Sequence, residues 1–475
     1  MEASINKFEA ALREIPPIYI EGPKDAVQQR NVAHLKRLLE CYLHDPDFRS
    51  AFKDAPEITL KKYGVEVKAD VARMLLDPDS GKKYAKAPES VPIEIKQFYA
   101  FFAEKLQWRN FSQMHDCVPA HPAFKKWRQR QVNRCWGEFG GSNADFIHVP
   151  LVFELSLGCS VGCQFCALAS QRLEKVFKAT DENIELWRDI LTVAKKIIGP
   201  AAGEGVCYCA SEPLDNKDYE LFSAIYREVL GKTPQITTAA AMRDPLRIRK
   251  LLQDSLNGPP IIHRFSILNL KSFRNICNFF TPEELLYVEL LARYEESLTN
   301  VITKAGRSFQ EGADIDTEED TANTISCASG FIVNMAEKSI RLSTPCNADN
   351  EHPTGEIIFG RVYFTDAVDF KSVLLQIIAE QMPLSMDMQR PLKFQKFYRY
   401  EETKDGFVLH GAAHFKFKLK EEQPIRFYQE VGRILRDREC TGREIALEVN
   451  AKTGADMAAI FNFLRYLDNA GALRY

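Results

Sequence analysis

Cys159, Cys163 and Cys166 stand in the run Leu157-Gly-Cys-Ser-Val-Gly-Cys-Gln-Phe-Cys166, a C-x3-C-x2-C spacing. Thiolates hold iron–sulfur clusters, and a cubane cluster offers four irons for ligation. Three thiolates therefore leave one iron open to a ligand that is not protein. Structural zinc is the competing chemistry, but it takes four ligands, usually as two C-x2-C-like pairs. No fourth Cys or His follows nearby; the next candidates are Cys207 and Cys209. The plain alternative is a set of buried structural thiols, because free Cys is often a small core residue. The preceding run Val152-Phe-Glu-Leu-Ser-Leu157 reads as a strand. Gly158 and Gly162 suit a tight loop wrapping a cluster.

This run, with aromatic Phe165 just before the last cysteine, resembles the radical S-adenosylmethionine (SAM) superfamily. The resemblance implies a [4Fe-4S] cluster on Cys159, Cys163 and Cys166, with SAM bound to the open iron through its amino and carboxylate groups. One electron then cleaves SAM to methionine and a 5′-deoxyadenosyl radical, which takes a hydrogen atom from the substrate. The cofactors carry the hard chemistry, and the protein holds, aims and shields them. The superfamily usually shows Gly-Gly-Glu-Pro after its second strand, receiving the SAM amino group; here the run is Ala210-Ser211-Glu212-Pro213-Leu214. The glycines are replaced by small residues while the acid is kept, so Ser211 and Glu212 are the implied SAM contacts. Arg264-Phe-Ser266-Ile-Leu-Asn269 falls where the superfamily places polar ribose or carboxylate contacts, which points to Ser266 and Asn269. Both side chains could instead satisfy local backbone.

Thr324 to Met335 and Ser339 to Cys346 read as two strands joined by Ala-Glu-Lys, with Cys327 and Cys346 at their ends. Such a hairpin is similar to the start of the SPASM extension, whose cysteines ligate auxiliary clusters. Only Cys440 follows, so an auxiliary cluster lacks ligands. An isolated cysteine suggests a hydrogen-atom donor instead. If the radical removes an α-hydrogen from one face and a thiol returns one to the other, an L-residue becomes D. The segment Ser343-Thr-Pro-Cys346 through Glu356, behind the cysteine motif, resembles the peptide epimerases of proteusin (polytheonamide-type) biosynthesis. That resemblance implies Cys346 as donor, with Cys327 as the runner-up. It also implies a ribosomal precursor peptide as substrate and an external one-electron reductant such as flavodoxin or ferredoxin. A thioether- or carbon–carbon-forming peptide maturase and an RNA-modifying radical SAM enzyme are the alternatives.

The elements that must position these residues follow from pattern. Residues 1–110 read as an N-terminal helical domain: Asn31–Leu43 at helical spacing, a second helix from Phe48 to Tyr63 ending at Gly64, and a third from Pro92 to Trp108. The run from Asp45-Pro-Asp-Phe48 to Val65 is similar to leader segments of nitrile-hydratase-like peptide precursors. Residues 111–148 carry a basic helix, Phe124 to Trp136, read as a solvated helix beside the barrel, and the linker Gly140–Asp145. From 149 to 365 strands alternate with helices, which implies parallel β-α units. A long helix is expected from Thr281, where Pro follows a capping Thr, towards Lys304. The superfamily resemblance sharpens the alternation to a partial (β/α)6 barrel with a β-hairpin extension. Residues 366–475 predict paired strands at Phe394–Tyr400 and Phe407–Leu419. Helices Pro424–Asp437 and Ala455–Ala470 then complete a winged-helix-like α+β domain. Such a module binds DNA, packs, or grips a leader peptide by strand addition.

At 475 residues the chain is large enough for two to three domains. A net charge of −3 argues against a nucleic-acid binder, which usually shows a basic excess. No run approaches a membrane span, and Met1–Phe8 lacks the apolar region of a signal peptide. Twelve cysteines without such a signal read as reduced cytoplasmic thiols.

Overall fold

The computed structural model describes residues 10–300, 303–309, 322–404, 406–412, 414–418 and 425–474. The opening Met1–Phe8, and Leu419 and Pro424 at the expected ends of a strand and a helix, lie outside the described residues. The chain is mixed α/β with several small sheets, and no closed barrel forms among the described residues.

The N-terminal layer is helical. Helix α1 (Ala26–His44) starts on the Asp25 side chain, which accepts from the Gln28 amide. The expected 48–63 helix is two helices, α2 (Pro46–Asp54) and α3 (Pro56–Lys62). Proline cannot donate to the turn before it and disfavours helical backbone at the preceding residue, so the chain breaks at Ala55 before Pro56. Helices α4 (Ala69–Leu76), α5 (Ser80–Lys86) and α6 (Ile93–Phe111) complete the layer. Its apolar faces (Leu38, Phe48, Ala72, Phe98) pack against Phe265, Phe273 and Leu290 of the strand-bearing region.

Helix α7 (Pro122–Phe139) departs from its expected exposure. Phe124, Trp127, Arg128, Arg130 and Arg134 are buried. Its arginines do structural bonding: Arg128 donates to the carbonyls of His148 and Gln113, and Arg134 to that of Pro345. Counting basic residues could not reveal that carbonyls meet them.

Strand β1 (Val149–Glu154) is buried along its length, as a strand covered on both faces should be. Leu151 and Phe153 face Trp187 and Ile190 of α8 (Asp181–Ile198) and Phe222 of α9 (Tyr219–Leu230). The short antiparallel pair β2 (Ser156–Leu157) and β3 (Lys175–Val176) brackets the cysteine loop. Val152 bridges in parallel to Val206, and Val206 to Gln235. Strand β4 (Thr237–Thr238), helix α10 (Pro245–Ser255), β5 (His263–Ile267), α11 (Leu270–Phe279) and β6 (Val288–Ala292) follow, with β4-β5-β6 parallel.

The expected helix from Thr281 is therefore overturned. Thr281 and Glu284 exchange capping hydrogen bonds of 3.3 and 2.9 Å, but the chain turns and enters β6. Val288-Glu-Leu-Leu-Ala292 alternates buried and half-buried residues, the two-residue period of a strand.

On the other side of β1, β7 (Ala328–Asn334) pairs in parallel, and β8 (Ser339–Pro345) and β9 (Glu356–Tyr363) continue antiparallel. The hairpin predicted from residues 324–346 is thus present. Helix α12 (Ala367–Gln381) covers this sheet beside α8. The C-terminal region contains β10 (Pro391–Phe394), β11 (Arg399–Thr403), β12 (Gly406–His410) and β13 (His414–Lys418). It continues with α13 (Ile425–Asp437), β14 (Cys440–Thr441), α14 (Gly442–Thr453), α15 (Met457–Asn469) and β15 (Leu473–Arg474) around its own core.

Candidate functional site: the cysteine loop and its surroundings

The loop between β2 and β3 carries Cys159, Cys163 and Cys166, all half-buried. Its path is set by glycine. Gly158 has φ +84°, and a Cβ there would lie 2.2 Å from the Arg172 carbonyl. The Cys159 amide donates to the Gln171 carbonyl at 3.0 Å, and the Cys166 amide to that of Cys163 at 3.3 Å.

Two clasps hold the loop from outside, and neither was evident in the sequence. In the first, the Arg307 amide donates to the Cys166 carbonyl at 3.0 Å, and its guanidinium to the Cys163 carbonyl at 2.6 Å and to that of Ser170. Gly306 permits this approach: a Cβ there would sit 2.3 Å from the Cys166 and Ala167 carbonyls. In the second, the Ser160 amide donates to Asp215 at 2.8 Å, and Arg243 reaches the same carboxylate at 3.4 Å. Both clasps satisfy backbone and leave the sulfurs partly open.

The thiols sense one another. Burial raises the Cys163 pKa, and Cys166 and Cys159 raise it further, while Arg307 opposes them. Burial also raises that of Cys159, against the amides of Val161 and Gly162. Among the described residues no three His, Cys, Asp or Glu side chains converge tightly enough to grip a single metal ion. Three thiols on one loop are the donor set that a cluster with one open iron would use, whereas tetrahedral zinc would require a fourth donor.

Glu212 is buried, with 3% exposure, at the end of the chain segment that follows the Val206 bridge. One carboxylate oxygen accepts from Thr238 at 2.6 Å and from the Leu214 amide at 3.2 Å; the other accepts from the Ala239 amide at 3.0 Å. Burial raises its pKa, and these bonds oppose that. A carboxylate has about four acceptor positions, so the second oxygen keeps room for an ammonium. Glu212 and Asp215 both lie close enough to Cys159 to raise its pKa. Phe165 and Ser211 are half-buried beside these groups in sequence. Ser266 is half-buried and lies on the same face of β5 as Arg264. The Asn269 Oδ1 is committed to capping α11, accepting from the Ser272 amide at 2.8 Å.

Cys346 follows the end of β8 and is 4% exposed. Its amide donates to the Gly355 carbonyl at 3.0 Å. It lines a cavity of about 410 Å³ with Arg134, Glu138, Asn347, His352 and Lys396. Burial pushes its thiol far above the ordinary range; Glu138 adds to the rise and Arg134 opposes it. The loop it begins returns to the cysteine loop: the Gly306 amide donates to the Pro353 carbonyl at 2.7 Å, and Ala348 packs with Ala167 and Ala305. Cys327 lies elsewhere, half-buried beside Val206 and Tyr208, and lines a separate cavity of about 170 Å³ with Arg264 and Glu289.

The chain is 31% identical over 458 residues to the uncharacterized protein y4wI of Sinorhizobium fredii, a match spanning 94% of this chain and 88% of that protein. It belongs to the family of that protein. No protein-family model matches the chain, and no solved structure matches it. Among the described residues no helix is long and apolar enough to cross a membrane.

Proposed function

We propose that this protein is a radical SAM enzyme that converts L- to D-residues in a ribosomal precursor peptide. The observation that carries the reading is the set of neighbouring, half-buried thiols on one loop after β1, clasped through backbone by Arg307 and Asp215. In this reading the parallel run from β1 through Val206 and β4 to β6, with helical crossovers, is the wall of a partial (β/α)6 barrel. The C-terminal helices and short strands form a winged-helix-like domain.

Cys159, Cys163 and Cys166 hold the [4Fe-4S] cluster; Glu212 receives the SAM ammonium, with Ser211, Ser266 and Phe165 around it. When bound, the cluster and SAM supply the 5′-deoxyadenosyl radical that removes an α-hydrogen. The chain's own part is then to present the peptide, exclude water and return a hydrogen atom. Cys346 suits that last role because burial beside Glu138 keeps its thiol protonated, and a thiol must keep its hydrogen to donate it. Its loop packs beside Ala167 of the cysteine loop through Ala348, and its Pro353 carbonyl accepts from Gly306 of the segment that clasps that loop. Cys327 is the second candidate donor. A flavodoxin or ferredoxin supplies electrons, and the leader binds the C-terminal region.

The test is anaerobic reconstitution with iron, sulfide and SAM, and co-expression with a candidate ribosomal precursor peptide. The reading expects 5′-deoxyadenosine and D-residues at unchanged peptide mass. A stable mass loss would assign a cross-linking maturase instead. Salt-sensitive RNA binding with no peptide product would assign the RNA-modifying alternative.

A further inference from the structure

Three buried polar atoms without a hydrogen-bond partner among the described residues line one cavity: Tyr219 Oη, Thr233 Oγ1 and His263 Nε2. The cavity, of about 300 Å³, lies between helices α9 and α10. Tyr219 and His263 are each 1% exposed. Buried polar groups are nearly always bonded, so three orphans lining one cavity call for an occupant. His263 opens β5 and shares its face with Phe265 and Ile267, which pack with Ile248 and Leu252 of α10. Arg264 and Ser266 are on the other face of that strand, so the cavity is separate from the proposed SAM contacts.

The chemistry of the occupant follows from the atoms that meet it. The Ile236 amide donates to His263 Nδ1 at 3.2 Å. An amide N–H can only donate, so Nδ1 holds the lone pair and the ring proton sits on Nε2. Burial keeps this ring neutral, its pKa lowered to about 4. His263 therefore presents one uncharged N–H donor, while the Tyr219 and Thr233 hydroxyls can donate or accept. Ala224, Pro234 and Leu251 supply apolar sides. At the mouth, Glu220 is held by Arg247 through bonds of 2.6 and 2.7 Å, and Arg227 is exposed at the rim. Asp254 accepts from Lys250 at 2.6 Å. A carboxylate has about four acceptor positions, so Asp254 keeps room for a ligand hydroxyl.

We propose that this cavity binds an uncharged purine nucleoside. The edge of a purine carries both acceptors and donors, which His263, Tyr219 and Thr233 complement. Its flat faces suit the apolar sides. The ribose hydroxyls reach Asp254 at the mouth, as they reach a carboxylate in dinucleotide sites. The volume is twice the roughly 150 Å³ that holds a benzene ring. The three buried groups are uncharged and the acids at the mouth are paired, so the site offers hydrogen bonds rather than charge. This goes beyond the proposed activity and needs neither cluster nor SAM.

The test is equilibrium dialysis of the full-length protein against radiolabelled adenosine and guanosine. Saturable binding of one of them is expected. Cys163→Ala, which in the proposed reading cannot hold the cluster that anchors SAM, should bind it equally well. Thr233→Val keeps the shape, removes the hydroxyl and should weaken binding on the order of tenfold. Ala224→Trp, at an exposed position on α9, should fill the cavity and abolish binding. On the unsubstituted protein, the 8-azido form of the bound nucleoside should label peptides from α9 or α10 on irradiation. No saturable binding of either nucleoside would overturn the proposal. So would binding lost in Cys163→Ala, labelling confined to the cysteine loop, or soaked crystals with only ordered water in the cavity. These outcomes are independent of whether a D-residue is ever formed.

Discussion

Cys163 and Cys346 both sit in loops beyond strand ends, and the chain treats them in opposite ways. Around Cys163 the neighbours bind backbone: Arg307 takes the Cys163 and Ser170 carbonyls, and Asp215 takes the Ser160 amide. The sulfurs stay half-buried and close enough to repel one another as thiolates. Around Cys346 the thiol is enclosed, with Glu138 near it, and the loop amide of Asn347 donates to that carboxylate at 2.6 Å. One loop leaves three sulfurs half-buried beside one another; the other encloses a single thiol. In the proposed reading ligation uses the open sulfurs and hydrogen donation the enclosed thiol, although burial raises the Cys163 and Cys346 pKa alike.

The largest expected effects would break the two sides of this comparison separately. Cys163→Ala should reduce iron and sulfide content to background and abolish 5′-deoxyadenosine formation, checked by metal analysis and chromatography. Cys346→Ala should leave iron content and 5′-deoxyadenosine formation in place and eliminate D-residues. Loss of both activities in that variant would make Cys346 structural and move the donor role to Cys327.

Smaller effects sharpen the contrast. Arg134 and Glu138 are a buried ion pair. Glu138→Ala strands the guanidinium and should cost about 3 to 5 kcal/mol in urea unfolding. The milder Glu138→Gln should lower the Cys346 pKa, read as faster iodoacetamide alkylation at mildly alkaline pH. Arg307→Ala removes two bonds made by a charged group, each worth about 1.5 to 3 kcal/mol. It should speed iron loss to a chelator on the order of tenfold, about 1.4 kcal/mol, while leaving the fold intact by circular dichroism.

A separate effect, away from both cysteine loops, is in pH dependence. Burial would raise the Glu289 pKa, but Lys105 and Arg264 bring it down to about 2. A carboxylate depressed in the folded state contributes stability that is full above its unfolded value. That stability is lost as pH falls towards the folded one. The window here runs from about pH 4.5 down to about pH 2. Glu289→Gln should remove this acid limb, worth at most about 3.4 kcal/mol before solvent screening, in unfolding curves taken across that range.

What the sequence revealed followed the range of each interaction. The spacing of Cys159, Cys163 and Cys166, the hairpin of β7 and β8, and helices such as α1 are local patterns. Each was legible as a period or a turn signal. The clasps were not: Arg307 meets Cys163 across 144 positions, and nothing in Ala305-Gly-Arg-Ser308 identifies the carbonyls it will meet. Segment 281–292 misled because its capping residues do form their bonds, and only the later two-residue alternation marks the strand. Pro56 was a readable break that the apolar spacing from Phe48 onward masked. The arginines of α7 looked solvated because charge is visible in a sequence while buried carbonyls are not. Asn269 was legible as a polar residue after a strand, but its cap on α11 emerges only once the helix is in place.

The central claim is that a protonated thiol returns hydrogen to a peptide α-carbon. Its most direct test is co-expression with the precursor peptide in deuterated water, followed by tandem mass spectrometry. A gain of one mass unit per modified residue, located on Cα, abolished by Cys346→Ala, is the predicted result. Peptide carrying no deuterium at Cα, while 5′-deoxyadenosine accumulates with an intact cluster, would contradict it.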